Sequence, residues 1–464
     1  MAESVKVYRS HLPVSASVAL AWHGRQGAFE RLTPPWADVQ VLAASGTIAP
    51  GDTKTLRIGI GPFYRNWSLE HAGNPNHLGF VDRQLSGPFK RWTHEHSFID
   101  DPDGGSWLVD TISYSLPLAF LGRRLLRRPI ERQLDTLFSF RHRRTISDLT
   151  RIQRFGGRDP LRIAITGSAG LVGDQLVSFL KAAGQHVIPI VRRSTGDRDE
   201  VLWNPELGSI DAEKLEGIDA AIHLAGESIA KGRWTTAKKK RILESRRQGT
   251  ELIANTLSSL QRPPKVLVSA SAVGYYGNRN KERLTESSPA GEGFLADVCK
   301  IWEDAAHPAV AAGIRVVHPR FGVVLSGKGG MLKQLAPLFR VGLGGKIGNG
   351  EQYMSWIDID DLIGILGESV INERLSGPIN AVAPVPVTNK AFTKLMGNVL
   401  RRPTVLPAPK ALVRLALGEM ADELLIASQR AEPAVLDTMG FKFTYTFLED
   451  ALRNELGSPE KSTT

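Results

Sequence analysis

A glycine-rich turn lies between an apolar segment and a segment with helical spacing. The apolar segment is 161–166, and glycines follow at Gly167, Gly170 and Gly173. In a dinucleotide-binding turn the first glycine permits the bend, the second lets the backbone approach a pyrophosphate, and the third allows the helix to pack closely. Unpaired amides at the start of the helix then bind the anion. The sequence therefore predicts a pyrophosphate site at this turn.

The next apolar segment, 186–191, ends in Arg192 and Arg193 rather than in a carboxylate. A carboxylate at that point would accept hydrogen bonds from the ribose 2′-hydroxyl of NAD(H), whereas cations favour a 2′-phosphate. Both arginines could also be ordinary surface residues. The pattern favours NADP(H) as the cofactor over NAD(H).

Apolar and helical segments continue to alternate along the chain. Strands are predicted at 219–224, 265–269 and 314–318, with a long helix between the first two. This alternation is typical of a Rossmann-like α/β fold with a doubly wound parallel sheet. The expected organisation is an α/β domain at 161–402, a small, mostly helical domain at 403–456, and a disordered tail at 457–464.

The first part of the chain shows polar and apolar residues alternating as in antiparallel strands. A helix near 17–29 and a long basic helix after Pro129 bracket these strands. An α+β domain is therefore predicted at 1–150, and the glycines and prolines that follow indicate a linker at 151–160.

Two histidines of this domain have the spacing of metal ligands on one strand. His94 and His96 are two residues apart, so their side chains share a strand face. A pair of imidazoles can contribute to a zinc site, but no third ligand is spaced convincingly nearby. Cross-strand packing is the preferred interpretation, and no metal is predicted.

Length, charge and cysteine content limit the class of protein. The chain has 464 residues and a net charge of +10, and it is too long for a single core. Part of the charge lies in 123–154, where apolar residues recur at helical spacing between the arginines. This pattern indicates an amphipathic helix whose charged face is solvated, rather than a nucleic-acid site. No leader and no apolar stretch of ~20 residues is found, so no membrane span is expected. The single cysteine, Cys299, excludes an intrachain disulfide, and a cytoplasmic protein is expected.

The motifs of the α/β part resemble those of extended short-chain dehydrogenases/reductases (SDR). More narrowly, 274–277, 294–299 and 318–325 are similar to segments of the atypical epimerase-family, or sugar-nucleotide-epimerase-like, oxidoreductases, and 403–456 resembles the C-terminal domain of unknown function in that group. The resemblance implies a small-molecule substrate and NADP(H). Besides the two arginines, the cofactor-binding residues that it implies are Thr166, Gly167, Ser168, Ala169, Gly170, Leu171, Val172, Gly173, Leu224, Ala225, Gly226, Ser269, Pro319 and Arg320.

The superfamily uses a tyrosine as a proton donor and, four residues later, a lysine that lowers the pKa of that tyrosine. In register with Glu303, these two positions are Leu295 and Cys299, so the usual pair is missing. This loss counts against ordinary alcohol oxidation.

Three residues near the expected nicotinamide position are predicted to be catalytic. Ser271 matches the superfamily's catalytic serine, which donates a hydrogen bond to a substrate carbonyl. Tyr275 or Tyr276 could replace the missing acid, and aromatic packing over the cofactor edge is an equally good interpretation of both.

The N-terminal part resembles the START-like helix-grip family, also called polyketide-cyclase-like. The segments that carry the resemblance are 28–36, 82–84 and 87–89. The resemblance implies a cavity between the sheet and the long helix that takes an apolar ligand.

Three functions remain open at this point. The first is an NADP(H)-dependent oxidoreductase or epimerase that acts on a small carbonyl or sugar-like substrate, with the hydride chemistry supplied by the cofactor. The second is a catalytically inactive NADP(H)-binding sensor or scaffold, which would fit a role linked to cell division. The third is a carrier of a lipid or another hydrophobic ligand in the N-terminal domain. The sequence does not determine the substrate or the oligomeric state.

Overall fold

The structure is a computed structural model that describes residues 3–60, 63–116, 120–157 and 159–459. Residues 460–464 of the predicted tail lie outside the described residues. Two units are distinguished: the N-terminal unit comprises Met1–Arg158 with Ser178–Gly184, and the C-terminal unit comprises Asp159–Val177 with Gln185–Thr464.

The N-terminal unit contains a seven-stranded antiparallel sheet with the strand order β1-β7-β6-β5-β4-β3-β2. Its strands are β1 (Ser4–Leu12), β2 (Val39–Ala44), β3 (Thr53–Ile60), β4 (Phe63–Gly73), β5 (Leu78–Ser86), β6 (Arg91–Asp100) and β7 (Ser106–Ser115). Strands β2 to β7 are neighbours in chain order and form a continuous meander. The last strand, β7, also pairs with the first strand, β1. Burial alternates along β7, as expected for a sheet with one covered face.

In the described part of this unit three helices accompany the sheet: α1 (Ala16–His23), α2 (Ala28–Leu32) and α3 (Phe120–Ile152). The single helix expected near 17–29 is therefore two helices, because Gly27 adopts a φ of 91° before α2 and interrupts the helical backbone. The long helix begins at Phe120 rather than after Pro129, which lies inside it. It also extends two residues into the predicted linker and is followed by a 3-10 turn, Gln153–Phe155.

Apolar residues of α3 and the sheet form one core of the N-terminal unit. Its buried members are Leu56, Leu69, Trp92, Ile112, Tyr114, Leu134 and Phe138. The arginines of α3 do not all lie on a solvated face, because Arg144 is buried whereas Arg132 is exposed. The solvated-face interpretation therefore holds for only part of the described helix.

The C-terminal unit contains a nine-stranded sheet with the path β11-β10-β9-β8-β12-β13-β16-β14, and β20 also pairs with β16. Its strands are β8 (Arg162–Thr166), β9 (His186–Val191), β10 (Val201–Asn204), β11 (Ser209–Ile210), β12 (Ala220–His223), β13 (Val266–Ser269), β14 (Ser271–Ala272), β16 (Arg315–Phe321) and β20 (Gly377–Ala381). Short pairs outside this sheet are formed by β15 (Arg283–Leu284), β17 (Val323–Leu325), β18 (Tyr353–Met354), β19 (Trp356–Asp358), β21 (Val387–Thr388) and β22 (Arg430–Ala431).

Helices connect these strands and follow them to the end of the described chain. They are α4 (Leu171–Ala182), α5 (Thr236–Ser259), α6 (Phe294–Asp304), α7 (His307–Ala311), α8 (Gly330–Arg340), α9 (Ile359–Ile371), α10 (Asn389–Leu400), α11 (Lys410–Leu417), α12 (Glu419–Ala421), α13 (Ala434–Thr438) and α14 (Leu448–Leu456). Strands alternate with helices, and the main strand pairs are parallel. The predicted Rossmann-like α/β fold is confirmed.

The strand order of this sheet determines where a ligand can bind. Strand β8 lies between β9 and β12, so the chain crosses in opposite directions on the two sides of β8. In open α/β sheets, ligands bind at the carboxyl ends of the strands next to such a reversal. Among the described residues, no helix combines the length and apolar character needed to cross a membrane.

Candidate functional site

The glycine turn after β8 is closely packed backbone. Gly167 has a φ of 70°, and the amide of Gly170 donates to its carbonyl oxygen at 2.9 Å. A Cβ at Gly173 would lie 2.1 Å from that same oxygen, and a Cβ at Gly167 would lie 2.9 Å from the amide nitrogen of Ala225. Both positions therefore require glycine. The tip of the turn, Ala169 and Gly170, is exposed.

Thr166 joins the turn to the neighbouring strand end. Its hydroxyl oxygen accepts from the amides of Leu224 and Ala225 at 3.1 and 3.2 Å, and it lies 2.8 Å from His223 Nδ1. Burial, followed by the charge of Arg246, lowers the pKa of His223 to about 3. The neutral imidazole can therefore accept the threonine proton. The structure brings 224–226 next to the glycine turn.

Two arginines that are predicted to bind the cofactor lie at the end of the adjacent strand. Arg192 and Arg193 directly follow β9, and both are exposed. The other predicted residues of the turn, Ser168, Leu171 and Val172, occupy the bend and the first turn of α4. The carboxyl ends of β8, β9 and β12 thus hold most of the predicted cofactor-binding residues.

A buried ion pair lies farther along this edge of the sheet. Glu303 accepts from Arg320 Nε and Nη2, with both hydrogen bonds at 2.8 Å, and also accepts from the Ser271 hydroxyl at 2.6 Å. Burial opposes the charge of Arg320, yet the hydrogen bonds to Glu303 raise the pKa of the guanidinium above its ordinary value. The predicted catalytic serine is therefore fixed to a carboxylate that is itself neutralised by an arginine.

The two predicted tyrosines differ in their surroundings. Tyr276 is fully buried, donates to Asn380 Oδ1 at 2.7 Å and accepts from Arg320 at 2.9 Å. Tyr275 is half-buried, and its ring centroid lies 3.5 Å from the Arg320 guanidinium. Burial raises the pKa of Tyr276, so its hydroxyl stays protonated and occupied by protein partners.

Strand register explains how this network forms. Ser271 of β14 pairs with Arg320 of β16, and Arg320 pairs in turn with Asn380 of β20. Three adjacent strands therefore present three polar side chains in one row. Glu303 reaches the row from α6. The sequence analysis names Glu303 only as the reference point for the tyrosine and lysine positions, and it does not identify Asn380 as a residue of the site. The sequence does contain one signal for this network. Arg320 lies in a mostly apolar segment, 315–325, that contains no carboxylate, so a buried arginine there needs a partner from elsewhere in the chain.

Three predicted cofactor-binding residues do not reach an open surface. Ser269 is fully buried, and its hydroxyl has no hydrogen-bond partner among the described residues. Pro319 lies within β16 and is also buried. Arg320 itself is only 2% exposed and is committed to its carboxylate partner. These three residues are therefore buried within strands that end at this edge of the sheet, and they offer no open surface to a cofactor.

Cys299 of α6, which the sequence register predicts to stand at the superfamily's lysine position, is buried. Burial and the nearby charge of Glu303 raise the pKa of its thiol to about 11. At pH 7 only about one thiol in ten thousand would then be ionised. We expect the folded chain to resist modification by a disulfide-exchange reagent, and the unfolded chain to react with one equivalent. Rapid modification of the folded chain at neutral pH would contradict this environment.

The fold and the strand-end site define a Rossmann-type nucleotide-binding protein. Residues 163–366 match the NAD dependent epimerase/dehydratase family, and residues 408–455 match a domain of unknown function, DUF1731. An epimerase family protein of Mycobacterium bovis is 44% identical over 290 residues, which cover 62% of this chain and 96% of the relative. The chain belongs to the epimerase family.

Two solved structures are similar over large parts of the chain. The nucleoside-diphosphate sugar epimerase from Corynebacterium glutamicum is 35% identical, with a TM-score of 0.78, and the match covers 97% of this chain and 90% of that one. The human epimerase family protein SDR39U1 (isoform 2), crystallised with NADPH, is 32% identical, with a TM-score of 0.60 over 64% of this chain and 99% of that one. The predicted epimerase-like SDR resemblance and the domain of unknown function are confirmed.

Proposed function

We propose that the C-terminal unit binds NADP(H) and uses it for hydride transfer to or from a small carbonyl or sugar-like substrate. The observation that carries the proposal is the glycine turn, whose close backbone contacts leave its exposed tip available to a pyrophosphate. Arg192 and Arg193, exposed one strand away, supply charge for a 2′-phosphate. A human relative that was crystallised with NADPH supports the same cofactor.

NADP(H), when bound, supplies the hydride chemistry. In this chain Ser271 would orient a substrate carbonyl by donating a hydrogen bond to it. Its single hydroxyl proton, which Glu303 accepts in this structure, would have to turn toward the substrate. Tyr275, half-buried beside Arg320, is the more accessible proton donor of the two tyrosines. Tyr276 is better suited to position Arg320, because its hydroxyl is occupied on both sides.

Replacing both Arg192 and Arg193 by alanine is expected to weaken NADPH binding about 10- to 100-fold, because charge-assisted hydrogen bonds to a phosphate contribute roughly 1.5–3 kcal/mol. NADH binding should change less than threefold, because NADH carries no 2′-phosphate. Calorimetric titration of wild type and variant with both nucleotides measures the two ratios.

A matched control is available in another exposed arginine of the same unit, Arg374. Arg374→Ala removes one positive charge far along the sequence from the glycine turn and should leave the NADPH affinity unchanged. Equal loss of NADPH and NADH affinity in the double variant would contradict recognition of the 2′-phosphate.

We also propose assignments for the other parts of the chain. The antiparallel sheet with its long C-terminal helix suits a START-like helix-grip domain for an apolar ligand at 1–150, with a linker at 151–160. The α/β domain is assigned to 161–402, the small helical domain to 403–456, and the cytoplasm is the proposed location.

A second candidate, a sensor or scaffold that binds NADP(H) without turnover, is favoured by one observation. The tyrosine and lysine positions of the superfamily hold Leu295 and Cys299, and both side chains are buried. Incubation with NADPH and a panel of carbonyl compounds distinguishes the candidates by the cofactor absorbance. Oxidation of NADPH that is lost in Ser271→Ala supports catalysis, whereas tight binding with no turnover supports the sensor.

A further inference from the structure

Five polar side chains converge on one face of the sheet in the N-terminal unit. His71 pairs with Asp82, Asp82 pairs with His94, and His96 pairs with Asp110, across β4 to β7. Paired residues on antiparallel strands project to the same face. We call these five residues the histidine–aspartate cluster. The four other than Asp82 are each at least nine-tenths buried.

Three members of the cluster are arranged around one point. His94 Nδ1 and His96 Nε2 lie 3.6 and 3.5 Å from the same oxygen, Asp82 Oδ2. These separations exceed those of good hydrogen bonds, but they match the ~3.4 Å between neighbouring ligands of a tetrahedral ion with bonds near 2.0–2.1 Å. One ligand atom from each residue lies within 4.8 Å of the other two.

Asp110 lies on the opposite side of the two imidazoles. Its Oδ1 is 2.8 Å from His96 Nδ1 and 3.3 Å from His94 Nε2. A carboxylate in this place favours a proton on those two nitrogens and leaves the lone pairs of the other two directed toward Asp82. Histidines that bind metal ions almost always present their second nitrogen to such a group.

The surroundings of the cluster fix its outer members. His142 of α3 lies between Asp110 and Ser10, with its ring nitrogens 2.9 Å from Asp110 Oδ2 and 2.8 Å from the serine hydroxyl. His71 Nδ1 lies 2.6 Å from the second oxygen of Asp82. Both carboxylates are therefore held on two sides, as in a metal site whose ligands are themselves oriented.

We propose that Asp82, His94 and His96 bind one divalent transition-metal ion, with Asp110 and His71 as positioning residues. Two imidazoles and one carboxylate are the ligand set of zinc sites that keep a fourth position for water or another oxygen ligand. Imidazole also selects against Mg²⁺, which prefers oxygen ligands. The inference concerns the N-terminal unit only and does not depend on the proposed NADP(H) site.

The test uses the full chain, purified without a histidine tag and freed of metal with a chelator. Competition of Zn²⁺ against a chromophoric chelator is expected to show one tightly bound ion per chain. Co²⁺ should give the visible absorption of a four-coordinate ion. Mg²⁺ should displace neither Zn²⁺ nor Co²⁺ from the chain. A wild-type chain that binds no Zn²⁺ at micromolar concentration overturns the proposal, whatever the variants do.

The variants separate the cluster from surface histidines. Asp82→Asn and His96→Gln should each weaken Zn²⁺ binding more than 100-fold, and Asp110→Asn should weaken it about 10- to 100-fold, as expected for an orienting group. His77→Gln, at an exposed histidine of the same unit, should bind normally. Circular dichroism checks that each variant is folded. Zn²⁺ binding that survives in folded Asp82→Asn, or that is lost in His77→Gln, overturns the assignment.

Discussion

Glu303→Ala is expected to lower the free energy of unfolding by about 3–5 kcal/mol, the usual effect of removing one partner of a buried ion pair. Arg320 is 2% exposed and donates two hydrogen bonds to this carboxylate. Without Glu303 the guanidinium is buried, and among the described residues it keeps only Tyr276 and the backbone oxygen of Glu286 as hydrogen-bond acceptors. The Ser271 hydroxyl loses its acceptor as well. Urea unfolding followed by circular dichroism measures the effect.

The C-terminal unit contains a matched control for this prediction. Arg283 donates two hydrogen bonds to Glu432, both at 2.7 Å, so the pair has the same two-pronged geometry as Arg320 and Glu303. The Arg283 side chain, however, is 69% exposed. Water can solvate the separated charges there, so Arg283→Ala should cost only about 0–1 kcal/mol. Equal losses in the two variants would show that the buried pair is not held as described.

The α/β fold can be predicted because its signals are local. The alternation of apolar and helical segments, together with the glycine spacing after β8, defines the order of the elements without any long-range information. The boundaries of the N-terminal helices are predicted less accurately. The sequence pattern starts the long helix after Pro129, but this proline lies within α3, and Gly27 divides the early helix into two.

Neither polar cluster can be assembled from sequence spacing. Asp82 and His94 are twelve positions apart in the chain but lie opposite each other in β5 and β6. Glu303 and Arg320 come from a helix and a strand. Such partners are decided by strand register and helix packing, which a single sequence does not specify. Sequence spacing therefore supplies no third ligand for His94 and His96. The proposed third ligand, Asp82, lies on the neighbouring strand.

Gly173→Ala is expected to weaken NADPH binding about 100-fold or more. The new Cβ would lie 2.1 Å from the carbonyl oxygen of Gly167, so the turn and the start of α4 must move apart. The amides that would bind the pyrophosphate belong to this segment, and losing two charge-assisted hydrogen bonds at roughly 1.5 kcal/mol each corresponds to about 100-fold in affinity. Calorimetric titration with NADPH measures the loss.

A second glycine separates this local effect from general destabilisation. Gly313 has a φ of 80°, a Cβ added to it would meet nothing within 4 Å, and it precedes β16 at the amino end of the sheet. Gly313→Ala strains the backbone by roughly 1–3 kcal/mol but should leave the NADPH affinity unchanged. If Gly173→Ala binds NADPH as tightly as Gly313→Ala does, the close approach of α4 to the turn is not needed for the nucleotide, and the pyrophosphate must bind elsewhere.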